Sequence, residues 1–248
     1  MNIVILAAGK GERLMPLTKN TPKTLLEVGN GDTILENQLL NIRECGIRDI
    51  ALVVGYKGEQ IEAKVKDLKK DINISMVYNP FYDITNNLVS LWMAKEELRE
   101  DFIILNGDVI FKQNVMKNLL EADGDVCMVI DRKETYVQED MKVIIERNLV
   151  HKVSKKISLQ RANGESIGMH KFQDKGRKRF VSVLEMMVRE KENLGLFYLA
   201  AIQRMIDDGM PVRYSECKPD DWLEVDFHPD LKNAKMNIKQ FTKALKEW

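Results

Sequence analysis

Residues 3–23 read IVILAAGKGERLMPLTKNTPK, and this stretch constrains the chain more than any other. Ile3, Val4, Ile5 and Leu6 form an uncharged apolar run bounded by small residues. Such a run suits a strand buried on both faces, as in a parallel sheet. It stops at Ala7-Ala8-Gly9-Lys10-Gly11. Two residues without side chains let a ligand approach the backbone there and let N–H groups turn toward an anion. Arg13 follows, and Lys23 comes directly after Pro22. A buried strand, a glycine loop and two placed cations are what binding a polyphosphate requires. The loop by itself is only half of a dinucleotide fingerprint, because Leu14 stands where the third glycine would be, and no Gly-Lys-Ser/Thr of a P-loop occurs.

The pattern beyond the loop alternates between two periods. Thr33 and Glu36 make a capping box ahead of Ile34, Leu35, Leu39 and Ile42 at helical spacing, with Gly46 as the stop. Ile50 to Val54 is a second buried-type strand, followed by a charged helix from about Glu59 to Leu68 and a half-buried strand from Ile72 to Tyr78. Strand and helix taking turns in this way predict a doubly wound α/β sheet. Asn86 opens a further helix with Leu88, Leu91 and Trp92 on its apolar face, and Asn87 and Ser90 near its start are of a type that can read a base edge. The strand Asp101 to Leu105 ends in Asn106-Gly107-Asp108, and a carboxylate at such a strand end sits where open α/β sheets bind ligands. A helix from Asn114 and a strand from Val126 to Asp131 complete the first half.

Residues 133–172 change texture. Short strands among charged loops read as a small β-rich insertion covering an active site. Two amphipathic helices follow, Gly176 to Glu192 and Leu196 to Asp207. Near the end, Glu224 and Asp226 alternate with Leu223 and Val225, so both carboxylates point to one side of a strand. Two charges on one face cost free energy unless a cation or water satisfies them. His151, His170 and His228 show no local pairing, and no Ser-His-Asp arrangement is evident.

Composition sets the outer limits. The 248 residues, 44% hydrophobic, suffice for one sizeable core, and no linker or repeat divides them. Lysine plus arginine and aspartate plus glutamate both number 38, which argues against a nucleic-acid binder or a membrane-surface protein. Cys45, Cys127 and Cys217 are widely spaced and form neither a zinc motif nor a disulfide framework. Met1 leads straight into the first strand and no apolar run approaches the ~20 residues a membrane span needs, so a soluble cytoplasmic protein is expected.

Taken together, Leu6-Ala7-Ala8-Gly9-x-Gly11-x-Arg13-Leu14 and the later Pro22-Lys23 resemble the signature of nucleotidyltransferases that make nucleoside-diphosphate-activated small molecules. Asn79-Pro80-x-Tyr82, Asn86-Asn87-x-x-Ser90-Leu91, Asp131-Arg132-Lys133, Asp140-Met141-Lys142-Val143, Ser154-Lys155-Lys156 and Gly164-Glu165 resemble the branch acting on phosphocholine and 2-aminoethylphosphonate. The resemblance implies a three-layer Rossmann-like fold with a mixed, mostly parallel sheet and a small β-rich insertion. It implies one domain over 1–248, with residues 1–131 as the nucleotide-binding half and 132–248 as the acceptor-binding half.

The same resemblance distributes roles. Leu6, Ala7, Ala8, Gly9 and Gly11 would wrap the nucleotide, Asn87 and Ser90 would face its base, and Arg13 and Lys23 would hold its triphosphate. Asp108 and Asp226, with Glu224 beside them, would hold Mg2+. Tyr82, Lys142, Lys156, Glu165 and Trp222 would meet the acceptor, with Asp220 and Asp221 near Trp222 as partners for a cationic head. The implied reaction is transfer of CMP from CTP to a small phosphate or phosphonate monoester, releasing pyrophosphate, in a chain that could form a homodimer. A sugar-1-phosphate nucleotidylyltransferase and a non-catalytic nucleotide-binding module on the same fold stand as alternatives.

Overall fold

The computed structural model describes residues 1–29, 31–66 and 71–241. Its strands are β1 (Asn2–Ala7), β2 (Glu27–Gly29), β3 (Asp32–Thr33), β4 (Asp49–Val54), β5 (Asn73–Tyr78), β6 (Phe102–Asn106), β7 (Val109–Phe111), β8 (Val126–Asp131), β9 (Lys142–Glu146), β10 (Leu149–Val153), β11 (Gly164–Phe172), β12 (Arg213–Cys217) and β13 (Trp222–Glu224). The helices are α1 (Ile34–Glu44), α2 (Gly58–Lys66), α3 (Asn87–Met93), α4 (Gln113–Glu121), α5 (Asp174–Met187), α6 (Leu199–Asp207) and α7 (His228–Asn237). The helix expected to reach Leu68 is α2, and its last two expected residues lie outside the described ones.

Among the described residues, nine strands make the central sheet. In order β5-β4-β1-β6, four of them run parallel. Next to β6 lies antiparallel β11, which also pairs with β8 and β9; β12 then joins β8 in parallel and β10 joins β9 antiparallel. Only β11 and β10 therefore run against the other strands, which is the mixed, mostly parallel sheet the motifs imply. The stretch read as an insertion divides: β9 and β10 extend the sheet from the start of β11, while β11 itself is a central strand.

The charge-free runs have the physical consequence expected of them. In β1, Ile3, Ile5 and Ala7 join the apolar cluster on one face with Leu35 and Leu39 of α1 and Ile61 of α2. Val4 points the other way, to a second cluster with Leu88 of α3, Phe180 of α5 and Ile202 of α6. Burial on both faces is why the run shows no polar alternation. A third cluster joins Leu14, Leu26 and Ile110 to Val225, Leu231 and Ile238, so the last helix is packed onto the segment carrying the glycine loop.

The capping box at the start of α1 forms in full. Thr33 Oγ1 accepts from Glu36 N at 3.2 Å, and Glu36 Oε2 accepts from Thr33 N at 2.9 Å. Thr33→Ala should lower unfolding free energy by about 1 kcal/mol, read as a lower urea midpoint with an unchanged slope. An unmoved midpoint would show that the cap carries no stability here. Among the described residues, no helix is long and apolar enough to cross a membrane.

Candidate active site

Parallel β1 and β6 end at one side of the sheet, and a cleft of about 480 Å³ opens there. Leu6, Ala7, Ala8, Gly9 and Gly11 line it. Gly11 has φ +63°, and a Cβ on it would come within 3.1 Å of Lys23 Cβ and Thr18 Cγ2, so only glycine lets the loop close over Lys23 without strain. The next residues form a 3₁₀ turn, Glu12–Leu14, whose Leu14 is fully buried and anchors Arg13 at the cleft. Lys23 opens the third 3₁₀ turn of this stretch, immediately after Pro22.

Opposite these cations stand three carboxylates. Asp108 follows β6, and the antiparallel ribbon of β7 and β13 sets Glu224 across from Val109. The backbone continues the pairing one step further, with Val225 N donating to Asp108 O at 3.0 Å. One oxygen each of Asp108, Glu224 and Asp226 lie within 4.8 Å of one another. Lys23 Nζ donates to Asp108 Oδ2 at 2.8 Å and also bonds Asp226 Oδ1. Arg13 reaches Asp226 Oδ2 at 2.8 Å and Glu139 Oε2 at 3.1 Å.

The charges in the cluster shift one another. Burial alone would lower the Lys23 ammonium, but Asp108 and Asp226 outweigh it and hold it above its usual range, so it stays charged. Burial would raise Asp226, and Lys23 and Arg13 reverse that. Glu224 is reached by solvent from the cleft yet lies deep among protein atoms; this desolvation, then the charges of Asp108 and Asp226, push its carboxyl up to about 8. Asp108 Oδ1 is buried without a hydrogen-bond partner. A crowded set of carboxylate oxygens with one orphaned atom suits a hard divalent cation, so Asp108, Glu224 and Asp226 could hold Mg2+.

The rest of the cleft comes from α3 and from the far side of the sheet. Asn86 caps α3 by accepting from Asn87 N at 2.8 Å. Asn87 Oδ1 accepts from Tyr198 N at 2.8 Å, and Ser90 Oγ accepts from Asn79 Nδ2 at 2.9 Å. Both Asn87 and Ser90 line the cleft, as do Tyr82 and Glu165. Glu165 is 3% exposed and paired with Lys133, which also reaches Asp140 at 3.3 Å. Burial pushes its carboxyl up to about 7, against the pull of Lys133.

Three expected acceptor residues stand elsewhere. Lys142 is fully buried, and its Nζ donates to the carbonyls of Val137, Gln138 and Asp140 at 3.0–3.2 Å, so it braces the loop before β9. Lys156 is exposed outside the cleft, while its neighbour Lys155 lines it and reaches Glu139 at 3.5 Å. Trp222 is 7% exposed in the core, with Nε1 donating to Asp131 Oδ2 at 2.9 Å, and Asp221 is tied to Lys112 and Asn114. The cleft instead gains Asn106, Glu139, Lys155, Ser166 and Phe197. Asn106 and Lys155 stand within motifs of the sequence and Glu139 directly before one, but no sequence signal marks their orientation.

The family model described as nucleotidyl transferase matches residues 2–140. The chain belongs to this nucleotidyltransferase family. The match contains the glycine loop, Arg13, Lys23 and Asp108, while Glu224 and Asp226 lie beyond it. A choline-phosphate cytidylyltransferase of Streptococcus pneumoniae is 41% identical over 118 residues, 48% of this chain and 49% of that protein. A CTP:phosphoglutamine cytidylyltransferase of Campylobacter jejuni is 27% identical across 93% of this chain and 98% of its own length. The solved structure of the CTP:phosphocholine cytidylyltransferase of Streptococcus pneumoniae matches with a TM-score of 0.80 at 25% identity, covering 96% of this chain and 98% of that one. Family membership makes the chain a nucleotidyltransferase and its three-layer architecture that of the family.

Proposed function

We propose that the chain transfers CMP from CTP to a small phosphate or phosphonate monoester with a cationic head group, phosphocholine or 2-aminoethylphosphonate, and releases pyrophosphate. The observation that carries this reading is the confrontation, across one cleft, of the glycine loop with Arg13 and Lys23 and of Asp108 with Glu224 and Asp226. The names of the relatives in Streptococcus and Campylobacter support the choice of CTP and of a small phosphorylated acceptor.

The chemistry needs no side-chain nucleophile, because a phosphate oxygen of the acceptor is already anionic and can attack the α-phosphorus in line. The protein's task is positioning and charge neutralisation. The loop backbone from Ala8 to Gly11 would receive the nucleotide, and Lys23 and Arg13 would exchange their carboxylate partners for its phosphate oxygens. In that exchange Arg13 leaves Glu139, an exposed pair that costs little to break. Mg2+, held by Asp108, Glu224 and Asp226, would supply charge neutralisation at phosphate oxygens. Glu165 would face the cationic head.

The test crosses CTP, UTP, ATP and GTP with phosphocholine, 2-aminoethylphosphonate and glucose-1-phosphate, reading pyrophosphate release. CTP with an amine-bearing acceptor should give the highest kcat/KM. Equal use of UTP together with a preference for the sugar phosphate would move the chain to the sugar branch, and no release with any pair would leave a nucleotide-binding module.

A further inference from the structure

His170, which has no partner evident in the sequence, is the centre of a buried hydrogen-bonded chain. On a regular strand, residues 166 and 170 would stand roughly 13 Å apart. In β11 the pairing register with β8 shifts between Ser166 and His170, and Gly168 in between has φ +80°. This bulge folds the strand on itself and sets Ser166 Oγ 3.0 Å from His170 Nε2. On the other side of the ring, Nδ1 lies 3.0 Å from the Tyr198 hydroxyl, which in turn reaches Asn106 Oδ1 at 3.3 Å. Gly168 is also what gives Asn106 its room: a Cβ there would come 2.4 Å from Asn106 Nδ2. Ser166 and Asn106, the two ends of the chain, both line the cleft.

The direction of every proton in this chain follows from its last member. An amide oxygen only accepts, so the Tyr198 O–H donates to Asn106 Oδ1. The phenol oxygen then accepts, and its donor is His170 Nδ1–H. The ring is fully buried, and that burial pushes its pKa down to about 3, so it is neutral and carries one proton. Nε2 is therefore bare and accepts the Ser166 hydroxyl proton. Ser166 is left with oxygen lone pairs alone for anything else it meets.

We propose that Ser166, aimed by His170 and Tyr198, is a specificity-determining hydrogen-bond acceptor that selects an acceptor substrate bearing a protonated amine with N–H groups over one with a quaternary ammonium. The inference rests on the reading of the cleft as a transferase for small amine-bearing phosphoesters. Glu165, next to Ser166 along β11, also lines the cleft but is held by Lys133, which leaves the Ser166 hydroxyl oxygen as the acceptor with lone pairs to offer. A trimethylammonium carries no N–H and is recognised by ring faces. The rings lining the cleft offer it little. Lys155 Nζ already stands 5.6 Å over the Phe197 ring, and Tyr82 packs on Gly55 and edge-on to Tyr56 at 6.2 Å. Trp222, the ring that would best suit a quaternary head, is turned into the core.

The test compares phosphoethanolamine with phosphocholine, which differ only in three N-methyl groups, using CTP and the full chain in wild type, Ser166→Ala and Tyr198→Phe. Wild type should prefer phosphoethanolamine in kcat/KM by on the order of tenfold, the size of a hydrogen bond to a charged group. Ser166→Ala should bring the ratio of the two acceptors close to one. Tyr198→Phe keeps the packing but breaks the chain, frees the serine hydroxyl to turn, and should lower the ratio in the same direction with KM for CTP unmoved. General damage to the fold would lower both acceptors together and leave the ratio alone. A wild-type preference for phosphocholine, or a ratio unchanged in both variants, overturns the role of Ser166 and leaves the transferase reading standing. Pyrophosphate release with neither acceptor overturns the transferase reading, and the inference with it.

Discussion

Asp226→Asn and Asp108→Asn should each cut kcat by about a thousandfold, the upper range for loss of one charge-stabilising group, while the protein stays folded. Asparagine fills the same volume, so the packing of Val225 and Val109 on either side is undisturbed. What disappears is negative charge at the place where Lys23, Arg13 and two other carboxylates converge. Asp226 matters twice, because it accepts from Arg13 at 2.8 Å as well as from Lys23. Asp108 offers the orphaned Oδ1, the atom best placed to gain a new ligand. The measurement is kcat at saturating CTP and acceptor across a magnesium titration, with thermal unfolding in parallel. Near-normal turnover at limiting magnesium in either variant would remove that residue from the proposed metal set.

Lys23→Ala should lose roughly 2.7–4 kcal/mol of transition-state stabilisation, a 10²–10³-fold fall in kcat. The side chain is only 14% exposed, and its ammonium is held above its ordinary range by Asp108 and Asp226, so it is present as a full charge in a partly desolvated place. A charge so placed is worth most where negative charge develops on the phosphates, and Gly11 exists in its left-handed form to let the loop pass over it. Steady-state kinetics separate the two things such a charge can do. A collapse of kcat with a smaller change in KM for CTP is the expected pattern. An unchanged kcat with a modest rise in KM would leave Lys23 a role in binding alone.

The parts of this molecule that could be read from the sequence are those governed by local rules. β1, β4 and β6 are legible because residues buried on both faces cannot be polar. The start of α1 is legible because Thr33 and Glu36 satisfy each other's backbone groups. The carboxylates of the cluster could be assigned through motif resemblance. The parts governed by long-range pairing could not. Whether Trp222 faced the cleft or the core depended on Asp131, an acceptor at the end of β8 that the sequence does not place beside it. Lys155 and Lys156 have the same chemistry, and only the turn after β10 decides which of them enters the cleft. Ser166 and His170 are the sharpest case. Four residues apart, they belong together only because a bulge with a positive-φ glycine shortens the strand between them.

The ribbon of β7 and β13 has a consequence for how the catalyst comes into being. The glycine loop and Asp108 belong to the first half of the chain, but their two carboxylate partners arrive from residues 224–226, held in place by Val225, Leu231 and Ile238 against Leu14 and Ile110. A ribosome therefore releases the glycine loop and Asp108 before it releases the two carboxylates that complete the cluster. Until the closing segment has docked, a nascent or clipped chain can possess the glycine loop and Asp108 and lack Glu224 and Asp226 beside them. The three-carboxylate cluster is thus complete only in chains whose last helix has packed onto the first half.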